Sequence, residues 1–192
     1  MAKTQKPQSK KSSDAFVDDD AVSAGGSSYM KLESGENTFR AISKPITGWV
    51  VWEGDDDERK PVRTPIADGE PDAPSDDPKD KPKKFMALVV IDRADDEVKI
   101  LEITQQSIIK AIKALAENAK WGNPFTYDIS VVKKGEGKKT RYTVTPEPKS
   151  VLSKELIKAA MAKPCDLEQL YEGENPWGED GEVDSPTPYL FK

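Results

Sequence analysis

Residues 85 to 92, FMALVVID, place seven apolar side chains in succession in a chain of which 33% is charged and 35% hydrophobic. Successive side chains of a strand point to opposite faces, so a run that is apolar at both parities needs cover on both. It is read as a central strand. The rest of the fold has to be arranged around it.

The neighbouring patterns supply the arrangement. NTFRAIS and GWVVWE are strand-like on either side of Pro45 and Gly48, and fit one long bent strand or two short ones equally well. After FMALVVID the turn RADDE leads into VKILEITQ, giving two consecutive strands. In QSIIKAIKALAENAKWG the period changes: Ile108, Ile112, Leu115 and Ala119 keep helical spacing, Thr104 or Ser107 can cap the start, and Gly122 with Pro124 supplies a stop. PFTYDISVV and TRYTVTP flank the glycine-containing turn KKGEGKK as a hairpin.

The resulting order is strand, strand, strand, helix, strand, strand. This is the order of the oligonucleotide-binding (OB) fold, a mostly β, five-stranded Greek-key barrel with one helix between strands three and four. Another α+β barrel or roll of the same element order is the competing reading. Residues 29–149 form the expected domain, interrupted by a long acidic loop at 53–82. Residues 1–28 lack the apolar content to order themselves and read as a disordered arm. Residues 150–171 read as a short helical segment, and 172–192 as a disordered acidic tail with an aromatic tip.

The chain has no histidine and one cysteine, Cys165, which excludes disulfides, thiolate or imidazole zinc sites and histidine-based hydrolytic triads. No cofactor, metal or enzymatic activity is expected. The acidic groups at Asp18, Asp19 and Asp20 and at Asp55, Asp56, Asp57 and Glu58 read as solvated loops; a magnesium-dependent nuclease is the sharper alternative. No apolar run of about 18 residues and no signal-peptide core are present, so a soluble cytoplasmic protein is expected.

The formal net charge is −6, but it is unevenly spread. Residues 29–52 and 81–149 together carry 17 Lys and Arg against 11 Asp and Glu, a net of +6. The excess gathers at Lys81, Lys83 and Lys84 before the second strand and at Lys133, Lys134, Lys138, Lys139 and Arg141 around the last hairpin turn. In an OB barrel these loops frame the binding groove, where lysines would neutralise phosphates. Trp49 and Trp52, three apart in one strand, cannot share a face. The outward one is expected to stack unpaired bases, with Tyr127 and Tyr142 as weaker candidates for that role. Phe39 and Phe85 are assigned to the core and Trp121 to the helix end. The expected DNA-binding set is Trp49, Trp52, Arg40, Lys83, Lys84, Lys133, Lys138, Lys139, Arg141 and Tyr142.

The series YMKLESGENTFRAIS, GWVVWE, KPKKFMALVVID, VKILEITQQSIIKAI, WGNPFTYDISV and TRYTVTP resembles the single-stranded-DNA-binding proteins of tailed phages, the group related to the T-even helix-destabilising protein. That resemblance implies a protein that coats single strands during replication, recombination and repair in the host cytoplasm. It also implies an acidic tail that recruits polymerase or helicase and competes with DNA for the groove; Glu179, Asp180, Glu182, Asp184, Tyr189 and Phe191 suit that role. It implies too that a basic arm, here Lys3, Lys6, Lys10 and Lys11, joins neighbours along the strand. The zinc-binding subdomain of the T-even protein has no ligands here, and Lys192 follows the aromatic tip. An adaptor that binds replication proteins through its tail, with the barrel as scaffold, is the alternative function.

Overall fold

In the computed structural model, which describes residues 28–54 and 58–191, the apolar run becomes β4 (Lys83–Asp92), the hub of a seven-stranded antiparallel sheet. The basic arm, Asp18 to Asp20, Asp55 to Asp57 and Lys192 lie outside the described residues. β1 (Gly35–Ala41) and β2 (Ile46–Glu53) succeed one another along a single edge of β4. Phe39 to Ala41 pair with Val90 to Asp92, and Ile46 to Val50 with Lys83 to Ala87. Of the two readings left open for this stretch, two short strands is the one observed, with the break at residues 42–45. β5 (Glu97–Ile103) pairs along β4's other edge as the expected hairpin.

The segment expected to be a loop at 53–82 contains β3 (Lys60–Pro65), which pairs with β2 along its whole length. Two features hid it: it is short, and it carries two prolines, Pro61 and Pro65. Proline has no N–H to give a neighbour, so it suits an edge strand. Gly48 makes the pairing possible, because a Cβ there would sit 2.1 Å from the Thr64 carbonyl oxygen.

On the far side of β1 lie β6 (Tyr127–Lys134) and β7 (Arg141–Lys149). With β1 and β2 taken as one broken strand, the succession β1/β2, β4, β5, helix, β6, β7 is consistent with an OB-like fold. The sheet is open: among the described residues β5 and β7 do not pair. Between them packs α1 (Gln106–Glu117), which sends Ile108, Ile109 and Ile112 into a core with Phe39, Met86, Leu88, Val90, Leu101, Ile103, Tyr127 and Ile129. Its first turn has no side-chain cap, so neither Thr104 nor Ser107 does the expected job.

The other face of β4 is covered by the chain beyond β7. α2 (Lys154–Met161), capped by Ser153, and α3 (Gln169–Glu172), closed by Gly173 at φ 75°, lay Leu152, Ala160, Cys165, Leu167, Leu170 and Trp177 over Ile42, Val50, Phe85, Ala87, Val89, Ile91, Val98 and Ile100. The packing continues to the end of the described chain: Tyr189 pairs with Ser43, the Leu190 N–H donates to the Ile42 carbonyl at 2.6 Å, and Tyr189 and Phe191 pack against this second core. Residues 172–191, expected to be a disordered tail, are placed against the sheet, and one face of β4 within the expected 29–149 domain is covered by the chain that follows it. The acidic residues that suggested disorder are the exposed ones; the few apolar residues between them fill the second face.

Cys165 is fully buried in this layer, and desolvation pushes its thiol up to about 12. A thiol neutral in the fold but ionisable near its ordinary value when unfolded stabilises the native state fully below that value; the contribution is lost as pH rises toward about 12. At pH 8, Ellman's reagent should react with Cys165 only as the layer detaches. Leu167→Ala, at a site with 0% exposure, should destabilise by about 2–5 kcal/mol in urea titrations and accelerate that reaction.

Candidate nucleic-acid interface

Cross-strand partners project from the same face of a sheet. Register therefore settles the two tryptophans. Trp49 stands opposite Lys84 on β4 and Thr64 on β3. It shares the parity of Met86 and Leu88, which enter the α1 core, but lies beyond that core and is only half-buried. The exposed Lys84 places its ammonium 4.9 Å from the centre of the Trp49 ring. The Lys84 carbonyl accepts from Gln106 at the start of α1, which ties this row to the helix.

Trp52 points to the opposite face. It lines a cavity of about 590 Å³ with Gly54, Arg59, Pro74, Ser75, Lys79 and Asp80. Arg59 donates to Asp80 and the Trp52 carbonyl, and Ser75 donates to Asp80 at 2.6 Å. The Ser75 bond, helped by the Arg59 and Lys79 charges, holds the Asp80 carboxyl below the usual carboxylate range. Half-buried Lys83 sits near this pair, and burial together with Arg59 lowers its pKa. Sequence reasoning missed the Arg59–Asp80 link because both residues looked like members of a featureless charged loop.

The second lysine cluster is separate. Lys138 and Lys139 are exposed in the β6–β7 turn, and Arg141 opens β7, also exposed. Lys133 is half-buried, its ammonium donating to the Leu32 carbonyl at 2.9 Å. Tyr142 leans on the α1 core, and burial raises its phenol pKa. Among the described residues no hydrogen bond, ion pair or ring contact joins this cluster to either tryptophan.

Two expected positions are corrected. Arg40 has 0% exposure and cannot track phosphates. Its Nε donates to Asp128 at 2.6 Å, and its other nitrogens donate to the carbonyls of Phe125 and Ser150 and to the Ser150 hydroxyl. Burial lowers its pKa and Asp128 opposes that. Asp128 is shared with Arg93 at 3.0 Å, so the trio joins β1, the β4–β5 turn and β6. Tyr127, also at 0% exposure, is a core residue that donates to the Gly122 carbonyl and packs against Trp121 with ring centres 5.5 Å apart. Phe39 and Phe85 are buried as expected.

Glu179, Asp180, Glu182 and Asp184 are exposed on the folded C-terminal segment, whereas Tyr189 and Phe191 are half-buried. Of the suspected carboxylate cluster only Glu58 is described, and it is exposed. Among the described residues no group of three or more potential ligands is placed to hold a metal ion, and no helix is long and apolar enough to cross a membrane.

No protein-family model and no solved structure matches the chain. It is similar to a protein of Escherichia phage T5 described as a probable ssDNA-binding protein, with 41% identity over 62 residues. Those residues are 32% of this chain and 24% of the relative, so the match spans about a quarter of the relative's length.

Replacing Arg40 tests its structural placement. Arg40→Ala should cost about 3 kcal/mol in urea denaturation, since it empties a fully buried site and strips the partly buried Asp128 carboxylate of one partner. The salt dependence of any nucleic-acid affinity should stay unchanged, because no phosphate contact is removed.

Proposed function

We propose that this chain is a non-catalytic, sequence-tolerant single-stranded-DNA-binding protein of a bacteriophage, acting in the cytoplasm of the host bacterium. The observation that carries the reading is the Trp49–Lys84 pair: a half-buried indole with an exposed ammonium at its face. An indole offers every base the same stacking surface, so the binding tolerates sequence. The ammonium supplies phosphate neutralisation and hence salt dependence. The base and Lys84 compete for one face of the ring; stacking therefore moves the ammonium off the indole and toward the adjoining phosphate. The partial likeness to the phage T5 protein supports the same reading.

Lys138, Lys139 and Arg141 provide a second exposed basic stretch along which the backbone can continue. Coating of single strands in replication, recombination and repair, kinship with the T-even helix-destabilising protein and self-association along DNA are the finer parts of this proposal. The exposed acids on a folded segment favour a second reading: an adaptor that binds basic surfaces of replication proteins through Glu179, Asp180, Glu182 and Asp184, with or without DNA.

Titration of the intrinsic tryptophan fluorescence with oligo-dT at several salt concentrations, and with duplex DNA, tests the main reading. The expected result is quenching by the single strand alone and an affinity that falls as salt rises. Trp49→Ala should remove about 1–3 kcal/mol of binding and most of the quenching. No binding at low salt would overturn the reading and leave the adaptor.

A further inference from the structure

We infer that the inserted strand β3 is part of the nucleic-acid platform and that Val62 carries an apolar contact to a nucleotide next to the one stacked on Trp49. The inference rests on the single-strand-binding reading above.

The register is the starting point. Lys84, Trp49 and Thr64 form one row across β4, β2 and β3. The next row of the same parity pairs Val51 with Val62, and the one after pairs Glu53 with Lys60. Alternation places all of these side chains on the Trp49 face. Val51 is 2% exposed, but Val62, at the sheet edge, is 40% exposed. An apolar side chain left open beside a half-buried indole, with exposed Lys84 and Lys60 at either end, matches a single strand: apolar and aromatic groups meet base faces and ammonium groups meet phosphates.

Strands lie about 4.8 Å apart and same-face rows about 7 Å apart, so the patch is continuous with the Trp49 site. The charge pattern also bounds it. Glu53 closes the third row, and the acidic residues 53–58 come next in the chain. The polyanion therefore runs from β3 back across Trp49 toward Lys84 and the start of α1, and not outward along the acidic stretch.

The test uses the full chain with Val62→Glu, Val62→Ala, Trp49→Ala and a control, Val151→Glu, whose native side chain is 86% exposed beside α2. Oligo-dT affinity is measured by titration, and thermal melting reports folding. Val62→Glu should bind roughly tenfold more weakly and Val62→Ala about two- to threefold more weakly, with melting little changed and Val151→Glu binding like wild type. Should Val62→Glu fail to fold, Val62→Ala alone carries the test. If Val62→Ala binds like wild type while Trp49→Ala is weakened, the platform ends at β2 and the inference is overturned, whatever Val62→Glu does by charge repulsion. If Trp49→Ala also binds like wild type, the stacking reading itself fails.

Discussion

β4 must be buried on both faces, and the rest of the molecule is the answer to that requirement. The stabilisation gained by burying apolar surface scales with the area removed from water, and β4 has eight buried positions in succession, from Phe85 to Asp92. One face takes α1 with inward residues of β1, β5 and β6; the other takes the C-terminal segment. Polar groups then fix the assembly where apolar packing alone leaves register free. Lys99 bonds Asp92 at 2.8 Å and also Asp95, closing the β4–β5 hairpin. Arg40 and Arg93 clamp Asp128 between them. Buried Asn37 bonds Glu33, Gly35 and the Val131 carbonyl.

Those polar groups explain why Arg40 does not take the phosphate-binding role expected of it. GENTFR, within the first stretch that carries the resemblance, resolves into structural roles: Asn37 organises the start of the strand, Phe39 fills the core and Arg40 is buried. A basic residue in a suggestive motif reads as a phosphate ligand. The signal against that reading is Asp128, an acid one residue past Tyr127 on a strand where it needs a partner, but nothing in a single sequence connects positions 40 and 128.

The central strand, the β4–β5 hairpin, α1 and the β6–β7 hairpin were all legible, because each carries its own period and turn chemistry. β3 was not: its two prolines in six residues imitate a loop, and its pairing depends on Gly48 yielding space to Thr64. The C-terminal layer was hidden by charge, since residues 164–191 contain eight acids and no base, while Cys165, Leu167, Leu170 and Trp177 are too irregularly spaced to announce a face. Parity showed that the two tryptophans diverge. Only register could assign Trp49 to Lys84 and Trp52 to the Arg59–Asp80 arch.

Anchoring the C-terminal segment beside Ile42 and Ser43 also changes what its charge can do. A loosely tethered polyanion samples a large volume, and its local concentration at a distant groove depends on slack in the tether. Here Thr187 is bonded to Cys165 and Leu167, Tyr189 to Lys163, and Leu190 to Ile42, so little slack remains. The carboxylates thus act as a fixed field on the face turned away from Trp49. Such a field has a set direction and acts at a distance, in the manner of a permanent dipole, rather than by occupying another surface of the molecule.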